Sequence, residues 1–531
     1  MPERSTRRKW TSSRAIISGV TPRILPSARD TLAAVTVILD LRVLPGPNPD
    51  IGGPAVRLSI AGGWDGKDET VETVLRAASA VEMSLAAQAI VTRPTDEGYV
   101  VAWPVTDRGQ AQAHADAVRA LLYEAPVPPV ERQSPSPFDL IDPPIPCVAI
   151  SGTNGKTTTT RLIAHCARTA GLSTGWSSTD GVFLDGRLIA AGDYSGPGGA
   201  RRVLAQPDVG FAVLETARGG LLLRGMSVSR VDVAVVTNVA ADHLGSHGIN
   251  TVEQLAMVKA TVVRIVDPAG WTVLNADEPL VRHMAEQSPG HTWYFGLDAE
   301  PLGERFTTVR DGRVVVEGSM SADLGAVADM PVTVAGHARF NVANVLAAAS
   351  AALAAGLPVD AVRTALRTFR PDSQLSSGRF NCWTVQDRRI ILDMAHNTES
   401  LRELLTTARH LTGDGRLWTA FGTAGDREDE VLQGMGFTAV DLADEAFPVD
   451  KPGYLRDRTA DEMRAQFIAG MAVAGSSSTE CFDNELQALS HLVERSAAGD
   501  VIVITIAEQL PELQKWLIDS GGRETDPVEW A

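Results

Sequence analysis

Val35, Val37, Leu39, Leu41 and Val43 fall on alternate positions, the spacing of a strand with one buried face. A helical pattern over 70–89, a strand over 99–104 and a helix over 110–122 follow, which predicts a small α+β domain spanning 30–125. Prolines then crowd 126–146, a stiff linker by composition. From Cys147 the period changes. Apolar runs at 148–150, 211–214, 231–236 and 272–274 alternate with amphipathic stretches such as 158–170, the signature of a mainly parallel sheet with crossover helices. Asp311-Gly312, between 306–309 and 314–316, is a hairpin turn, and alanine-rich 342–355 is a helix stopped near Gly356 and Pro358. This central domain covers 147–370. A third domain, 371–531, has strand patterns at 390–392, 417–421, 479–482 and 501–505 with helices between them, so a second, Rossmann-like sheet is expected. In two such sheets the ligand belongs in the cleft at the strand ends. The expected fold class is therefore α/β, with a small α+β domain in front.

Composition narrows the partners. Asp and Glu number 65 against 48 Lys and Arg, a formal charge of -17, and such a field repels nucleic acid and anionic membrane. No apolar run is long enough to span a bilayer, and the four cysteines (Cys147, Cys166, Cys382, Cys481) show no paired spacing. Reduced thiols in a cytoplasmic protein are expected. Residues 1–29 carry Arg4, Arg7, Arg8, Lys9, Arg14, Arg23 and Arg29 against Glu3 alone, a flexible basic tail rather than a secretion signal.

The chemistry starts at Gly152-Thr153-Asn154-Gly155-Lys156-Thr157, followed by Thr158, between the strand pattern at 148–150 and the helix pattern. A glycine loop between strand and helix turns backbone N–H groups toward a phosphate, and the helix N-terminus adds partial positive charge. Lys156 would sit on the outer phosphates and the Thr157 hydroxyl on Mg²⁺, which makes this an ATP-binding P-loop. Ile150 holds the place of the usual first glycine, and Gly152 substitutes for it. Two more strand patterns end on polar groups: 211–214 on Glu215, and 231–236 on the segment Thr237 to Gly245, which carries Asp242 and His243. Side chains at the carboxyl ends of parallel strands face the ligand crevice, so Glu215 and His243 are candidate metal ligands. Lys259 lies at helical spacing from Leu255, on the edge of an apolar face, where a lysine ordinarily reaches out to water.

GTNGKT, the ETARGG strand end, NVAADH and the lysine that follows resemble, in that order, the central domain of the Mur ligases. Gly336 to Asn344 resembles their adenine-side segment; Gly378-Arg379-Phe380, Asp393-Met394-Ala395-His396-Asn397 and Gly425-Asp426-Arg427 resemble their C-terminal domain. Within that family, Ser178 to Val182, Gly192 to Pro197 and NVAADHLG are most similar to the C-terminal half of cyanophycin synthetases. Residues 41–48 and 99–122 are similar to a shortened form of the N-terminal domain of those enzymes; the intervening ATP-grasp module has no counterpart, and the Pro-rich stretch stands in its place.

The resemblance implies an ADP-forming ligase that joins a carboxylate to an amine through an acyl phosphate. It implies two Mg²⁺ sites, a nucleotide held by Gly152 to Thr158, and catalytic or metal-holding roles for Thr157, Lys156, Glu215, His243 and Lys259. Family members often carry a carbamylated lysine at the position of Lys259, and Asp242 would orient the His243 ring. Asn344 would read adenine; Arg379, Asp393 and His396 would reach ATP from the C-terminal domain. The implied substrates are an acidic peptide or small carboxylate acceptor and an amine, with arginine favoured by the resemblance and by Asp426, Glu428, Asp429 and Asp457 near the expected amine pocket. The implied partners are a homo-oligomer or a separate ATP-grasp enzyme. The departures are Met394 for tyrosine, Thr398 for proline and Phe340 for histidine. The alternatives are a folylpolyglutamate-type or wall-precursor ligase, which the ETARGG and DGV details disfavour, and a non-catalytic ATP-binding partner, which the intact site set disfavours.

Overall fold

The computed structural model describes residues 38–61, 67–95, 98–122, 138–242, 244–245, 247–456 and 458–530. The basic segment 1–29, most of the proline-rich stretch, His243 and Asp457 lie outside the described residues. The chain forms two compact units: 1–139 with Leu223–Gly225 and His247–Asn250, and the remainder.

The first unit is a four-stranded antiparallel sheet, Ile38–Leu44, Ala55–Ala61, Gly98–Pro104 and Val91–Thr95 in spatial order, with helices Lys67–Ala80 and Arg108–Leu122. Buried Leu58, Val74, Trp103 and Val118 form its core. Trp103 Nε1 donates to His114 Nδ1 at 2.9 Å, which leaves His114 Nε2 to donate to the Val74 carbonyl at 2.8 Å. Burial holds this histidine below its ordinary pKa, so it acts as a neutral hydrogen-bonding core residue. The helix expected over 70–89 stops at Ala80. Glu82 takes a left-handed turn, φ +54°, and the Met83 N–H closes back on the Ala78 carbonyl at 2.8 Å, which also turns Met83 into the core.

The second unit holds two sheets. Seven parallel strands fill the middle of the larger one: Arg305–Arg310, His291–Phe295, Val266–Asn275, Val231–Val236, Cys147–Ser151, Phe211–Glu215 and Thr174–Ser178 in spatial order. Antiparallel strands extend both edges, including the expected hairpin, Arg305–Arg310 with Arg313–Gly318. Cys147–Ser151 and Phe211–Glu215 are buried throughout, which explains their continuous apolar runs in place of alternation. The helices Lys156–Thr169 and Arg339–Ala354 bring Leu162, Ile163, Val345 and Leu346 into the same core as Val148 and Val213. The smaller sheet runs Glu445–Pro448, Leu417–Phe421, Val501–Thr505 and Arg388–Asp393 in parallel, then Asn381–Val385 and Arg523–Glu524 antiparallel. The strand expected over 479–482 is reduced to a single bridge between Phe482 and Val449. Phe482 is buried, whereas Thr479 and Glu480 face solvent and gain nothing from a ladder.

Candidate nucleotide and metal site

Three neighbouring strands, Phe211–Glu215, Cys147–Ser151 and Val231–Val236, deliver their carboxyl ends to one place. Gly152 follows the middle strand with φ +151°, and a Cβ there would stand 1.9 Å from Thr237 Oγ1. Gly155 caps the helix Lys156–Thr169 at φ +82°, where a Cβ would stand 2.1 Å from Asn344 Oδ1. Both positions therefore require glycine for conformation and for space. Asn238 props the loop between them: its Oδ1 accepts from the N–H of Thr153 at 3.2 Å and of Asn154 at 2.8 Å. Thr237 Oγ1 donates to the Asn154 carbonyl at 2.7 Å. The first N–H groups of the helix lack intrahelical acceptors and carry its positive end, so the loop has the shape and polarity that could cradle a phosphate.

Thr157 is the centre of the polar cluster. Its hydroxyl donates to Glu215 Oε2 at 2.9 Å and lies 3.3 Å from Thr179 Oγ1. Glu215 is buried, and its other oxygen, Oε1, has no hydrogen-bond partner among the described residues. Burial raises the Glu215 pKa against the pull of Lys156, Arg379 and the Thr157 hydroxyl. A buried, half-satisfied carboxylate beside a hydroxyl is a hard-oxygen donor set that fits Mg²⁺. Among the described residues no three His, Cys, Asp or Glu side chains converge.

Two lysines flank this cluster. Lys156 Nζ donates to the Thr153 carbonyl at 2.7 Å, and burial lowers its pKa while Glu215 and Asp242 oppose the shift. Lys259, expected on the edge of an apolar helix face with its amine reaching water, is instead buried and donates to the Gly152 carbonyl at 2.5 Å. Burial, reinforced by the charge of Lys156, pushes its pKa well below the ordinary lysine value. The helix Val252–Lys259 ends under the phosphate loop, a long-range placement that local periodicity does not encode.

On the far side of Gly155 a cavity of about 80 Å³ is lined by Asn154, Asn238, Asn275, Phe295, Phe340 and Asn344, among others. Asn344 is buried and donates to Asn341 Oδ1 at 3.1 Å. The cavity offers aromatic faces and amide groups next to the phosphate cradle, a setting suited to a planar base.

The smaller sheet brings its own residues to the cradle. Arg379 donates to Thr157 Oγ1 at 3.3 Å. Asp393 accepts from the Phe380 N–H at 2.8 Å, and its pKa is raised by burial against the opposing charge of Arg379. His396 Nε2 stands 3.8 Å from Asp242 Oδ2, and Asn397 Nδ2 donates to Asn154 Oδ1 at 3.1 Å. Asp242, expected to orient the His243 ring, is engaged by Arg427, whose Nε lies 3.1 Å from Oδ1. Arg427 itself is buried and also holds Asp426 at 2.5 Å. The sequence puts Arg427 in a loop, Asn238 in the segment after Val236 and Thr179 within Ser178 to Val182, and nothing in their spacing marks them, or Arg161, as parts of the site. A threonine within Ser178 to Val182 and an asparagine two residues beyond the strand end Val236 are the available signals.

The segment 150–352 matches the model of the Mur ligase middle domain, and 378–506 matches that of the Mur ligase glutamate ligase domain. A UDP-N-acetylmuramoyl-L-alanyl-D-glutamate--2,6-diaminopimelate ligase of Thermosynechococcus vestitus is 30% identical over 367 residues, 67% of this chain and 70% of that one. The chain belongs to the Mur ligase family. A cyanophycin synthetase of Crocosphaera subtropica is 37% identical over 402 residues, 72% of this chain but 45% of the relative, so the chain spans less than half of that protein. Among solved folds, E. coli FolC in complex with DHPP and ADP superposes with a TM-score of 0.55 at 21% identity, covering 72% of this chain and 90% of that one, which is a likeness of fold. Membership places the chain among ATP-dependent amide-bond ligases. Among the described residues no helix is long and apolar enough to cross a membrane.

Proposed function

We propose that the protein activates a carboxylate on an acidic peptide or small acceptor as an acyl phosphate and passes the acyl group to an amino acid. The γ-phosphoryl group moves from ATP to a carboxylate oxygen and leaves ADP. The amine then attacks the acyl carbon, loses a proton, and inorganic phosphate departs. The observation that carries this reading is Glu215: a buried carboxylate at a strand end, bonded to Thr157 through one oxygen and, among the described residues, unpartnered at the other.

The chain's own residues divide the work. Gly152 to Thr158 hold the phosphates through backbone N–H groups, and Lys156 neutralises charge on the outer ones. Glu215 and Thr157, with His243, would hold Mg²⁺ at two positions, and bound Mg²⁺ supplies charge neutralisation between phosphate and acceptor. Lys259 would join that set as a carbamate. Its low pKa supports this, because only a neutral amine adds carbon dioxide, and the product is an oxygen ligand. Asn344 reads the adenine, while Arg379, Asp393 and His396 approach from the smaller sheet and exclude water from the acyl phosphate.

Arginine is the amine favoured by the cyanophycin synthetase likeness. Two of the carboxylates expected to receive it are held within the chain: Asp426 by Arg427 and Asp429 by Arg458. A cationic amine would therefore draw on Glu428, which has no ion-pair partner among the described residues. A homo-oligomer or a separate ATP-grasp enzyme that supplies the acceptor fits the same reading. The acyl phosphate is tested with an acceptor whose carboxylate carries oxygen-18: the reading expects one labelled oxygen in the phosphate released, and unlabelled phosphate from a productive turnover refutes it.

A further inference from the structure

Arg161 stands one turn beyond Thr157 on the helix Lys156–Thr169, and its charged side chain is buried. One arm of its guanidinium donates to Asp180 Oδ2 at 2.6 Å, and the other to the Ser377 carbonyl at 3.0 Å. Ser377 lies two residues before Arg379, with Gly378 at φ +73° making a sharp turn between them. Asn381 pins the same turn from the smaller sheet, its Oδ1 accepting from the Gly378 N–H at 2.6 Å and its Nδ2 donating to the Ser376 carbonyl at 3.0 Å. Beyond the turn, Arg379 reaches Thr157 Oγ1 at 3.3 Å, and Thr179, next to Asp180, meets that same hydroxyl at 3.3 Å. Thr157, Arg161, Ser377 and Arg379 thus close a ring, with Asp180 bracing Arg161 from outside it.

We infer that Arg161 is a positioning residue that clamps the Ser377–Arg379 turn onto the nucleotide helix and so sets the Arg379 guanidinium beside Thr157, where the outer phosphates would lie. This rests on the ATP reading of the site. The planar fork is essential to the role, because a guanidinium spans a carboxylate and a carbonyl at fixed geometry and an ammonium does not. Arg161 bonds protein on both arms, so its effect on the nucleotide passes through Arg379.

Titration calorimetry with Mg²⁺ and a non-hydrolysable ATP analogue tests this on the full chain. Arg379→Ala is expected to weaken binding on the order of tenfold, the scale of one charge-assisted contact. Arg161→Gln should lose a similar factor, and the double variant should lose no more than Arg379→Ala alone. Arg161→Lys should recover little of the loss. Asp180→Asn, which removes the brace and keeps the Ser377 bond, should lose less than Arg161→Gln, and nothing further when Arg379 is already alanine; it serves if Arg161→Gln does not fold. Losses that multiply to roughly a hundredfold in the double variant, unchanged binding in a folded Arg161→Gln, or full rescue by lysine would overturn the inference. Failure of the unaltered chain to bind the analogue would sink the ATP reading instead.

Discussion

Glu215→Gln separates what the site does for the fold from what it does for the ligand. The glutamine keeps an oxygen to accept from Thr157, which now donates at 2.9 Å, and removes the buried charge. A carboxyl whose folded pKa is raised destabilises the fold above that pKa, and the penalty is relieved as pH falls through it. Burial outweighs the attraction of Lys156 and Arg379 here, so at pH 7.5 the neutral variant is the more stable when nothing is bound. The amide that replaces Oε1 is itself buried, so what is relieved is the extra desolvation of a charge over an amide, on the order of 1–2 kcal/mol, and part of that returns as lost attraction to Lys156. The expected net gain is about 1 kcal/mol, or roughly 2 °C in melting temperature. Ligand reverses the order. At a hundredfold excess over its dissociation constant a nucleotide stabilises the unaltered chain by about 2.7 kcal/mol. In Glu215→Gln the Mg²⁺-dependent part of that gain should disappear. Melting curves with and without a non-hydrolysable ATP analogue, each in Mg²⁺ and in chelator, measure both effects. A variant that melts lower than the parent without ligand, or that keeps the full Mg²⁺-dependent shift, refutes the assignment of Glu215 as a strained metal carboxylate.

Gly155→Ala combines a left-handed backbone with a Cβ 2.1 Å from Asn344 Oδ1; it should cost about 2–4 kcal/mol through strain and lost Asn344 contacts, read by chemical denaturation, together with loss of nucleotide affinity. Lys451 and Glu485 form a buried pair at 2.7 Å, so Lys451→Ala should destabilise the smaller sheet by about 3–5 kcal/mol; a near-neutral effect in denaturant would mean that this lysine is not structural. His165 donates to or accepts from Thr368 Oγ1 at 2.9 Å, and burial, with the charge of Arg168, holds its pKa down to about 4. Its folded pKa lies below the ordinary 6.5, so stability is full above that value and falls as pH drops toward 4. Denaturation at pH 7 and pH 4.5 should show a smaller acid loss in His165→Gln than in the parent.

The legible parts of this protein were those written in local order. The strand Val231–Val236 and the end of Phe211–Glu215 on a carboxylate follow from runs of apolar residues and the polar residue that stops them. Gly152 and Gly155 follow from a turn that only glycine completes. The parts not legible depend on residues far apart in sequence. Lys259 looks solvent-facing in its own helix and becomes buried only because that helix ends beneath the Gly152 carbonyl, 107 residues earlier. Asp242 pairs with Arg427 across the two sheets, a partnership that no spacing announces. Arg161 sits among threonines on an unremarked helix face, and its acceptors come from Asp180 and Ser377. At 479–482 a plausible apolar and β-branched mix has no neighbour to pair with beyond Phe482.

The central claim is ligation of an amine to a carboxylate driven by ATP, and phosphate release measures it most directly. ATP and Mg²⁺ are supplied with a panel of acceptors (aspartate peptides, cyanophycin-like segments, small dicarboxylates) crossed with arginine, lysine and glutamate. The account predicts release that requires one acceptor and one amine together, with a product of the joined mass, and none in Lys156→Ala. Tight nucleotide binding with release that ignores both substrates, or that persists in Lys156→Ala, would contradict it.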